Sequence, residues 1–127
     1  MQTPTQFIKE WHKRILSGDV ESIVALYQKN AVLLGTFDFK MRLGEKDIKE
    51  YFDQLVIYQP TVELVKISCD EVRDSGVVIA NGYYNFELNE GNERTSVPAR
   101  FTFVLGKVGS EWRIFSHHSS RMTVPQV

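Results

Sequence analysis

The sequence predicts an α+β domain in which three N-terminal helices pack on one face of an antiparallel sheet. Before Pro60, apolar residues recur at the spacing of helices that are buried on one side. After Pro60, four stretches are rich in β-branched and aromatic residues, and short turn-forming segments separate them. Short links between consecutive strands favour antiparallel pairing. Helices and strands that are segregated along a chain are typical of the α+β class.

The first two helices have well-defined predicted ends. Thr3 and Gln6 have the spacing of a capping box, and Pro4 suits the first helical position. Gly18 can end this helix in the left-handed conformation, and Asp19 can cap the helix that follows. The predicted buried stripes comprise Phe7, Ile8, Trp11, Ile15 and Leu16 in the first helix, and Ile23, Val24, Leu26 and Tyr27 after Asp19.

A short strand and a third helix come next. Residues 31–34 are apolar and predict the strand, and residues 35–42 are predicted to be irregular. Gly44 opens the third helix, and Pro60 lies beyond its end. The apolar positions of this helix recur three and four residues apart. They are Ile48, Tyr51, Phe52, Leu55 and Val56.

The remaining strands are predicted at residues 61–69, 77–88, 99–105 and 111–119. These stretches are apolar on both faces. Around residue 100, for example, Phe101, Phe103 and Leu105 share one face, while Val104 lies on the other. A single layer of helices cannot cover both faces of a long sheet. We therefore expect the uncovered face to pack on a second copy of the protein.

Length and composition predict one ordinary domain over residues 1–127. The chain is 43% hydrophobic and 24% charged, and its formal net charge is −1. No long run of basic residues occurs, which argues against nucleic acid and anionic membrane surfaces as partners.

The sequence also predicts a cytoplasmic location. No window is apolar over the ~18 residues that a membrane-spanning helix needs. The N-terminal segment is polar, so we expect no secretion signal. Cys69 is the only cysteine, which excludes an internal disulfide and fits a reducing compartment.

Four segments together resemble one superfamily. They are ALY at residues 25–27, GEKDIKEYFDQL at residues 44–55, VVIANGYYNF at residues 77–86, and W-x-I-x-x-x-H at residues 112–118. With the order of the elements, they resemble the nuclear-transport-factor-2-like superfamily, which includes SnoaL-like and ketosteroid-isomerase-like proteins. They are similar in particular to the association (hub) domain of calcium/calmodulin-dependent protein kinase II and its free-standing bacterial relatives. The resemblance implies a cystatin-like cone, in which a curved sheet folds around three helices and leaves a pocket.

The resemblance also implies site residues. Arg100 stands where the hub domain has a pocket arginine, and His118 matches the final histidine of its last strand. Tyr83 replaces another pocket arginine, and Ile48 replaces a pocket histidine. Asn81 shares a strand face with Tyr83, so both join Arg100 and His118 as ligand-binding candidates. The implied ligand is small and either anionic or partly apolar.

The residues by themselves leave alternatives open. In a regular strand His117 and His118 point to opposite faces, so they cannot chelate one metal, and we expect no metal site. We expect His118, rather than His117, to line the pocket, although a core histidine bonded to the backbone is the alternative. Arg100 either pairs with an acid such as Glu63 or Glu87, binds an anionic ligand, or extends to the surface.

The leading hypothesis is a small-molecule-binding and oligomerisation module that forms a homodimer or a larger ring and needs no cofactor. The alternative is a cofactor-free isomerase, cyclase or hydratase that acts on a small apolar substrate. Asp38 and His118 are its catalytic candidates, because Gly35 stands where ketosteroid-isomerase-like relatives carry the base. A third possibility is a purely structural assembly domain, since this scaffold hosts many functions.

Overall fold

The computed structural model describes residues 2–123, which form one six-stranded sheet with helices packed against it. The helices are α1 (Pro4–Ser17), α2 (Val20–Val24) and α3 (Gly44–Leu55), and a 3-10 turn (Val56–Tyr58) continues α3. The strands are β1 (Tyr27–Leu34), β2 (Arg42–Leu43), β3 (Thr61–Val72), β4 (Val77–Glu90), β5 (Glu93–Val108) and β6 (Glu111–Arg121). They lie in the order β2-β1-β6-β5-β4-β3. The predicted α+β class is confirmed.

The predicted helix ends are also confirmed. The Thr3 hydroxyl accepts the Gln6 N–H at 3.1 Å, and the Thr3 N–H donates to the Gln6 side chain at 2.8 Å. Gly18 ends α1 with φ 72°, in the left-handed region that glycine adopts without a steric penalty. Asp19 caps α2 by accepting the Ser22 N–H at 3.3 Å.

The sheet is mixed, whereas the sequence predicted a wholly antiparallel one. Strand β1 runs parallel to β6, and the other neighbouring pairs are antiparallel. Short links force antiparallel pairing only between consecutive strands, and β1 and β6 are far apart in the chain. Strand β2 was not predicted, because its two residues come from a segment without a strand pattern.

The two faces of the sheet have different surroundings. On the inner face, which we define as the side toward the helices, Tyr84 and Phe103 are completely buried. On the outer face, Tyr83 is 41% and Phe115 39% exposed. The helices thus cover one face only, as the apolar pattern predicted. Within residues 2–123, no helix has the length and apolar character needed to cross a lipid bilayer.

Candidate functional site

A bulge in β6 decides which histidine faces the interior. Leu105 on β5 lies opposite Ile114 on β6, whereas the preceding residue, Val104, lies opposite Ser116. Phe115 is therefore an extra residue on β6 without a partner on β5. Such a bulge shifts the alternation of side chains by one position. His117 is therefore buried on the inner face, and His118 is exposed on the outer face. The prediction that His118 and not His117 faces the interior is wrong, because it assumed a regular strand.

His117 joins two tyrosines inside the cone. Its Nδ1 lies 2.9 Å from the Tyr27 hydroxyl, and its Nε2 lies 3.1 Å from the Tyr84 hydroxyl. Trp11 Nε1 donates to the Tyr27 oxygen at 3.1 Å. The Tyr27 proton then finds an acceptor among the described residues only at Nδ1 of His117. This arrangement assigns the imidazole hydrogen to Nε2, from where it is donated to Tyr84.

This network is electrically neutral. The pKa of His117 is lowered from 6.5 to about 3, mainly by burial and to a lesser extent by the neighbouring His118 and His12. Burial also raises the pKa of Tyr27 and of Tyr84 well above the ordinary value for tyrosine. At physiological pH these groups can exchange hydrogen bonds, but none of them carries a charge. His117 therefore neither binds an anion by charge nor titrates near neutrality.

The deep interior of the cone is filled. The hydroxyls of Thr36 and Ser119 bond to one another beside Tyr84. The cavity next to them measures about 10 Å³, which is no more than the space that one water molecule needs. A ligand of any size therefore has to bind nearer the surface.

An open pocket of about 450 Å³ lies at the mouth of the cone, which we call the mouth pocket. The end of α3, the 3-10 turn, the loop after β1 and the last residues of β4 and β6 surround it. Its aromatic lining is Phe37, Tyr51 and Tyr58, and its polar lining is Gln54, Glu90 and Arg121. The Arg121 guanidinium lies 5.6 Å from the centre of the Phe37 ring. Apolar walls with a few polar groups are typical of small-molecule sites.

A buried ion pair shapes the wall of the mouth pocket. Arg42 is 3% exposed, and its Nε lies 2.6 Å from Oδ2 of Asp38. Its second contact is with Glu50 on α3, at 2.8 Å. These bonds tie the loop that carries Phe37 to α3, so Phe37 is held in position against the pocket.

Because Asp38 is paired with Arg42, its carboxylate is not a free base. Burial raises the pKa of Asp38, but hydrogen bonds from Arg42 and from the amides of Phe39 and Lys40 outweigh it and leave the pKa below its usual value. Both carboxylate oxygens bond to Arg42, at 2.6 and 3.4 Å. Among the described residues no hydrogen bond or ion pair joins Asp38 to His118, so the predicted catalytic pair is not assembled.

Gly35 is also explained by its surroundings. A Cβ atom at this position would lie 2.4 Å from Cζ of Tyr51, which no real contact allows. The Tyr51 ring occupies the space that a side chain at position 35 would fill, and its hydroxyl accepts the Phe37 N–H at 3.4 Å. The Tyr51 phenol thus takes the place of a base at position 35, and burial raises the pKa of this phenol.

The four predicted ligand-binding residues lie outside the cone. In the strand register, Tyr83 on β4 lies opposite Arg100 on β5. Asn81 lies opposite Thr102, and Thr102 lies opposite His118 on β6. All four side chains are exposed and share the outer face of the sheet. The structure places them near one another, but on the side of the sheet that the helices do not cover. Arg100 forms no ion pair with any residue in the described range, so the predicted pairing with Glu63 or Glu87 is not made within one chain.

Sequence reasoning missed the residues that line the mouth pocket. Tyr51 was assigned to the helical core, and nothing in its spacing distinguishes a core aromatic from a pocket aromatic. The bulge that turns His117 inward has one readable signal. Gly106 on β5 provides room for the Phe115 ring, since a Cβ there would lie 2.8 Å from it.

No group of three or more metal-ligating side chains occurs between residues 2 and 123. Both ring nitrogens of His117 are occupied by tyrosine hydroxyls.

Comparison with known proteins agrees with the described geometry. The sequence model of the SnoaL-like domain matches residues 5–125. A candidate calcium/calmodulin-dependent protein kinase II association domain from Xanthomonas campestris is 29% identical, with a TM-score of 0.86 over 94% of this chain and 84% of that one. No curated protein sequence matches significantly.

Two enzyme-like structures share the fold at lower identity. SalBIII, described as an epoxide hydrolase/cyclase-like enzyme in pyran ring formation of salinomycin, is 22% identical, with a TM-score of 0.69 over 93% of this chain and 89% of its own. A candidate scytalone dehydratase from Novosphingobium aromaticivorans is 11% identical, with a TM-score of 0.81 over 94% and 81% of the two chains. The predicted resemblance to this superfamily and to hub-type domains is confirmed.

Proposed function

Because the chain belongs to the family of SnoaL-like domains, we propose that it is a small-molecule-binding module that also associates with itself. The observation that carries the binding proposal is the mouth pocket of about 450 Å³, which opens beside a filled and uncharged interior. Its volume falls in the range of small-molecule sites, about 300–1,000 Å³. We further propose that the protein acts in the cytoplasm.

The lining of the mouth pocket suits a partly apolar ligand. Phe37, Tyr51 and Tyr58 offer ring surfaces, and Arg121 offers a cation beside Phe37. Among the described residues neither Arg121 nor Glu90 forms an ion pair, so either can receive a polar group of the ligand. We propose a cyclic body with an acidic oxygen that reaches Arg121.

A series of three probes of similar size tests this proposal. Benzoate, benzyl alcohol and benzylammonium share a phenyl ring and carry an anionic, a neutral and a cationic polar group. Thermal unfolding reports binding, since a ligand at 100 times its Kd stabilises by about 2.7 kcal/mol. We expect benzoate to stabilise most and Arg121→Gln to weaken its effect. Preference for benzylammonium would instead assign the polar contact to Glu90.

A matched pair of variants locates the binding. Ile57 lines the mouth pocket and is 75% exposed, so Ile57→Trp fills the opening with little strain. Leu16 on α1 is 64% exposed and outside the pocket lining, and Leu16→Trp is the control. We expect Ile57→Trp to abolish the benzoate effect and Leu16→Trp to keep it. Equal responses in the two variants would contradict binding in the mouth pocket.

The proposed self-association rests on the uncovered outer face. Exposed apolar side chains on a sheet face are typical of surfaces that bind another protein. Light scattering at micromolar concentration tests it, with a dimer or larger ring as the expected result and a monomer as the contradicting one.

Catalysis is the second candidate, and the two enzyme-like neighbours favour it. Against it stand the Asp38 carboxylate, which Arg42 holds, and Gly35, whose place Tyr51 fills. Proton abstraction needs a base within reach of the substrate. Exchange of a C–H proton for deuterium in a bound ligand, lost on Ile57→Trp, would support an enzyme over a binding module.

A further inference from the structure

Tyr51 on α3 stands at the boundary between the mouth pocket and the small inner cavity. Among the described residues, Tyr51 and Leu55 line both spaces, and Tyr51 is the polar one of the two. The Tyr51 side chain is 6% exposed and lies against the backbone of Gly35. The Phe52 ring meets it edge-on, with the ring centres 5.1 Å apart. This packing holds the phenol in one position.

The Tyr51 hydroxyl has a hydrogen that no group of the described chain accepts. A hydroxyl oxygen accepts up to two hydrogen bonds and donates one. The Phe37 N–H is donated to the Tyr51 oxygen at 3.4 Å, and the Thr36 N–H also bonds to it. Within residues 2–123, no acceptor lies within hydrogen-bond distance of this O–H group. A buried donor without an acceptor is unfavourable, so a molecule from outside the chain has to supply one.

This hydroxyl is a neutral donor. Burial raises the pKa of Tyr51 well above the usual value for tyrosine, and the bonds from the Phe37 and Thr36 amides oppose that rise only in part. The same two bonds polarise the O–H group and strengthen it as a donor. Tyr51 therefore offers a hydrogen bond without a charge.

The amides that hold the hydroxyl are fixed in turn. They belong to the loop after β1, in which Asp38 accepts the Phe39 N–H at 3.0 Å and two hydrogen bonds from Arg42. Arg42 also bonds to Glu50, the residue before Tyr51 in α3. The loop and α3 are thus locked together, and the O–H direction is set before a ligand arrives. A preformed donor binds without the cost of ordering it.

Tyr51 and Arg121 suit two different oxygens of one ligand. The Arg121 cation favours an acid group, whereas the neutral phenol favours a neutral acceptor such as a carbonyl. Phe37 contacts both groups, since its ring lies 5.6 Å from the Arg121 guanidinium and its N–H bonds to Tyr51. A ligand ring that packs beside Phe37 is therefore within reach of both polar groups.

We propose that Tyr51 is a specificity-determining residue of the mouth pocket, and that the ligand is a cyclic acid with a second, neutral acceptor oxygen that receives the Tyr51 hydrogen bond. This inference rests on the proposed function and adds the second half of the ligand's chemistry. It favours cyclic keto acids over acids whose far end is a hydrocarbon.

Probe pairs of matched shape test the role of Tyr51. The meta and para isomers of acetylbenzoate carry a carbonyl, and in the corresponding isopropylbenzoates a methyl group replaces its oxygen. The two isomers cover two distances from the carboxylate. We expect titration calorimetry to show at least one acetyl probe binding roughly tenfold tighter than its isopropyl counterpart, as one buried hydrogen bond gives. Tyr51→Phe keeps the ring and removes the hydroxyl, so this preference is lost while isopropylbenzoate affinity is unchanged.

Tyr58→Phe is the matched control. Tyr58 lines the same pocket but is 46% exposed, so its hydroxyl can bond to water, and the variant is expected to keep the acetyl preference. Infrared spectra of acetylbenzoate labelled with ¹³C at the ketone give a second readout. Binding to the wild-type protein lowers the carbonyl frequency, and binding to Tyr51→Phe does not. A purely structural role of the hydroxyl would weaken all probes alike and leave this shift unchanged.

The outcomes separate this inference from the proposed function. Equal binding of acetyl and isopropyl probes by the wild-type protein, or a preference that survives in Tyr51→Phe, would overturn the role of Tyr51 and leave the mouth pocket as a binding site. A preference lost in Tyr58→Phe instead would transfer the role to Tyr58. Failure of all four probes and of benzoate to bind would overturn both proposals. Circular dichroism checks that each variant is folded.

Discussion

The polar groups on the inner face of the sheet are buried and uncharged, whereas those on the outer face include exposed charges. On the inner face, His117 and its tyrosine partners are buried, bonded to one another and uncharged. On the outer face, Arg100 and Glu87 are exposed and have no ion-pair partner in the described chain. Burial without charge requires complete hydrogen bonding, whereas exposed charge remains available to a partner. The inner face thus contributes stability, whereas recognition by the outer face and the mouth pocket is our proposal.

The largest expected effect comes from His117→Leu. The substitution leaves the Tyr27 and Tyr84 hydroxyls without their ring-nitrogen partners in a fully packed interior. Unsatisfied buried groups cost about 1–3 kcal/mol each, so we expect a loss of roughly 3–5 kcal/mol in the free energy of unfolding. Urea denaturation measures it. A loss below about 1 kcal/mol would show that the inner network does not stabilise the fold.

Acidification probes the same network without a mutation. The pKa of His117 is about 3 in the folded chain and 6.5 for an ordinary, unburied histidine. As the pH falls, the unfolded chain therefore protonates this ring before the folded chain does. Its contribution to stability is complete above pH 6.5 and is lost as the pH falls toward 3. The expected slope from this group is about 1.4 kcal/mol per pH unit. Burial similarly lowers the pKa of His12 to about 4, which steepens the loss.

Urea denaturation across this pH range checks the slope. The low pKa of Asp38 adds to the loss only at the acid end, because its carboxylate stays ionised until then. A free energy of unfolding that stays constant between pH 6.5 and pH 4 would contradict a buried neutral His117.

A smaller effect is expected from Gly35→Ala. The added methyl group collides with the Tyr51 ring, and overpacking costs typically 1–3 kcal/mol. Tyr51→Leu removes the collision, so the double variant is expected to lose less than the sum of the single losses. Thermal unfolding of the four proteins gives the coupling. Strict additivity would mean that the Tyr51 ring does not occupy the space beside position 35.

The smallest effect is expected from His118→Gln. The side chain is exposed on the outer face, and such substitutions usually change stability by less than about 0.5 kcal/mol. Denaturation at a concentration where the protein is monomeric isolates this contribution. A loss comparable to that of His117→Leu would place His118 in the interior.

Local signals in the sequence were sufficient for the helices and for the existence of the long strands. The capping box at Thr3 and the glycine at position 18 act within a few residues, so their effect can be read directly. The alternation along β6 failed, because the bulge at Phe115 depends on pairing with β5 rather than on β6 itself. Parallel pairing of β1 with β6 was likewise a long-range outcome.

The candidate site was less predictable for the same reason. The mouth pocket is formed where α3, the loop after β1 and the ends of two strands meet, and no short segment encodes that meeting. The buried Arg42–Asp38 pair that holds its wall was hidden in a segment predicted to be irregular. The resemblance identified Arg100 and His118 as neighbours, but their side of the sheet depended on the register.

The protonation state of His117 tests the central claim most directly, because it depends on both the bulge and the filled interior. Long-range ¹H–¹⁵N spectra of the imidazoles, recorded at about pH 5, report the charge and tautomer of each ring. The account predicts a neutral His117 with its hydrogen on Nε2. A positively charged His117 at that pH, or a ring that exchanges freely with solvent, would contradict it.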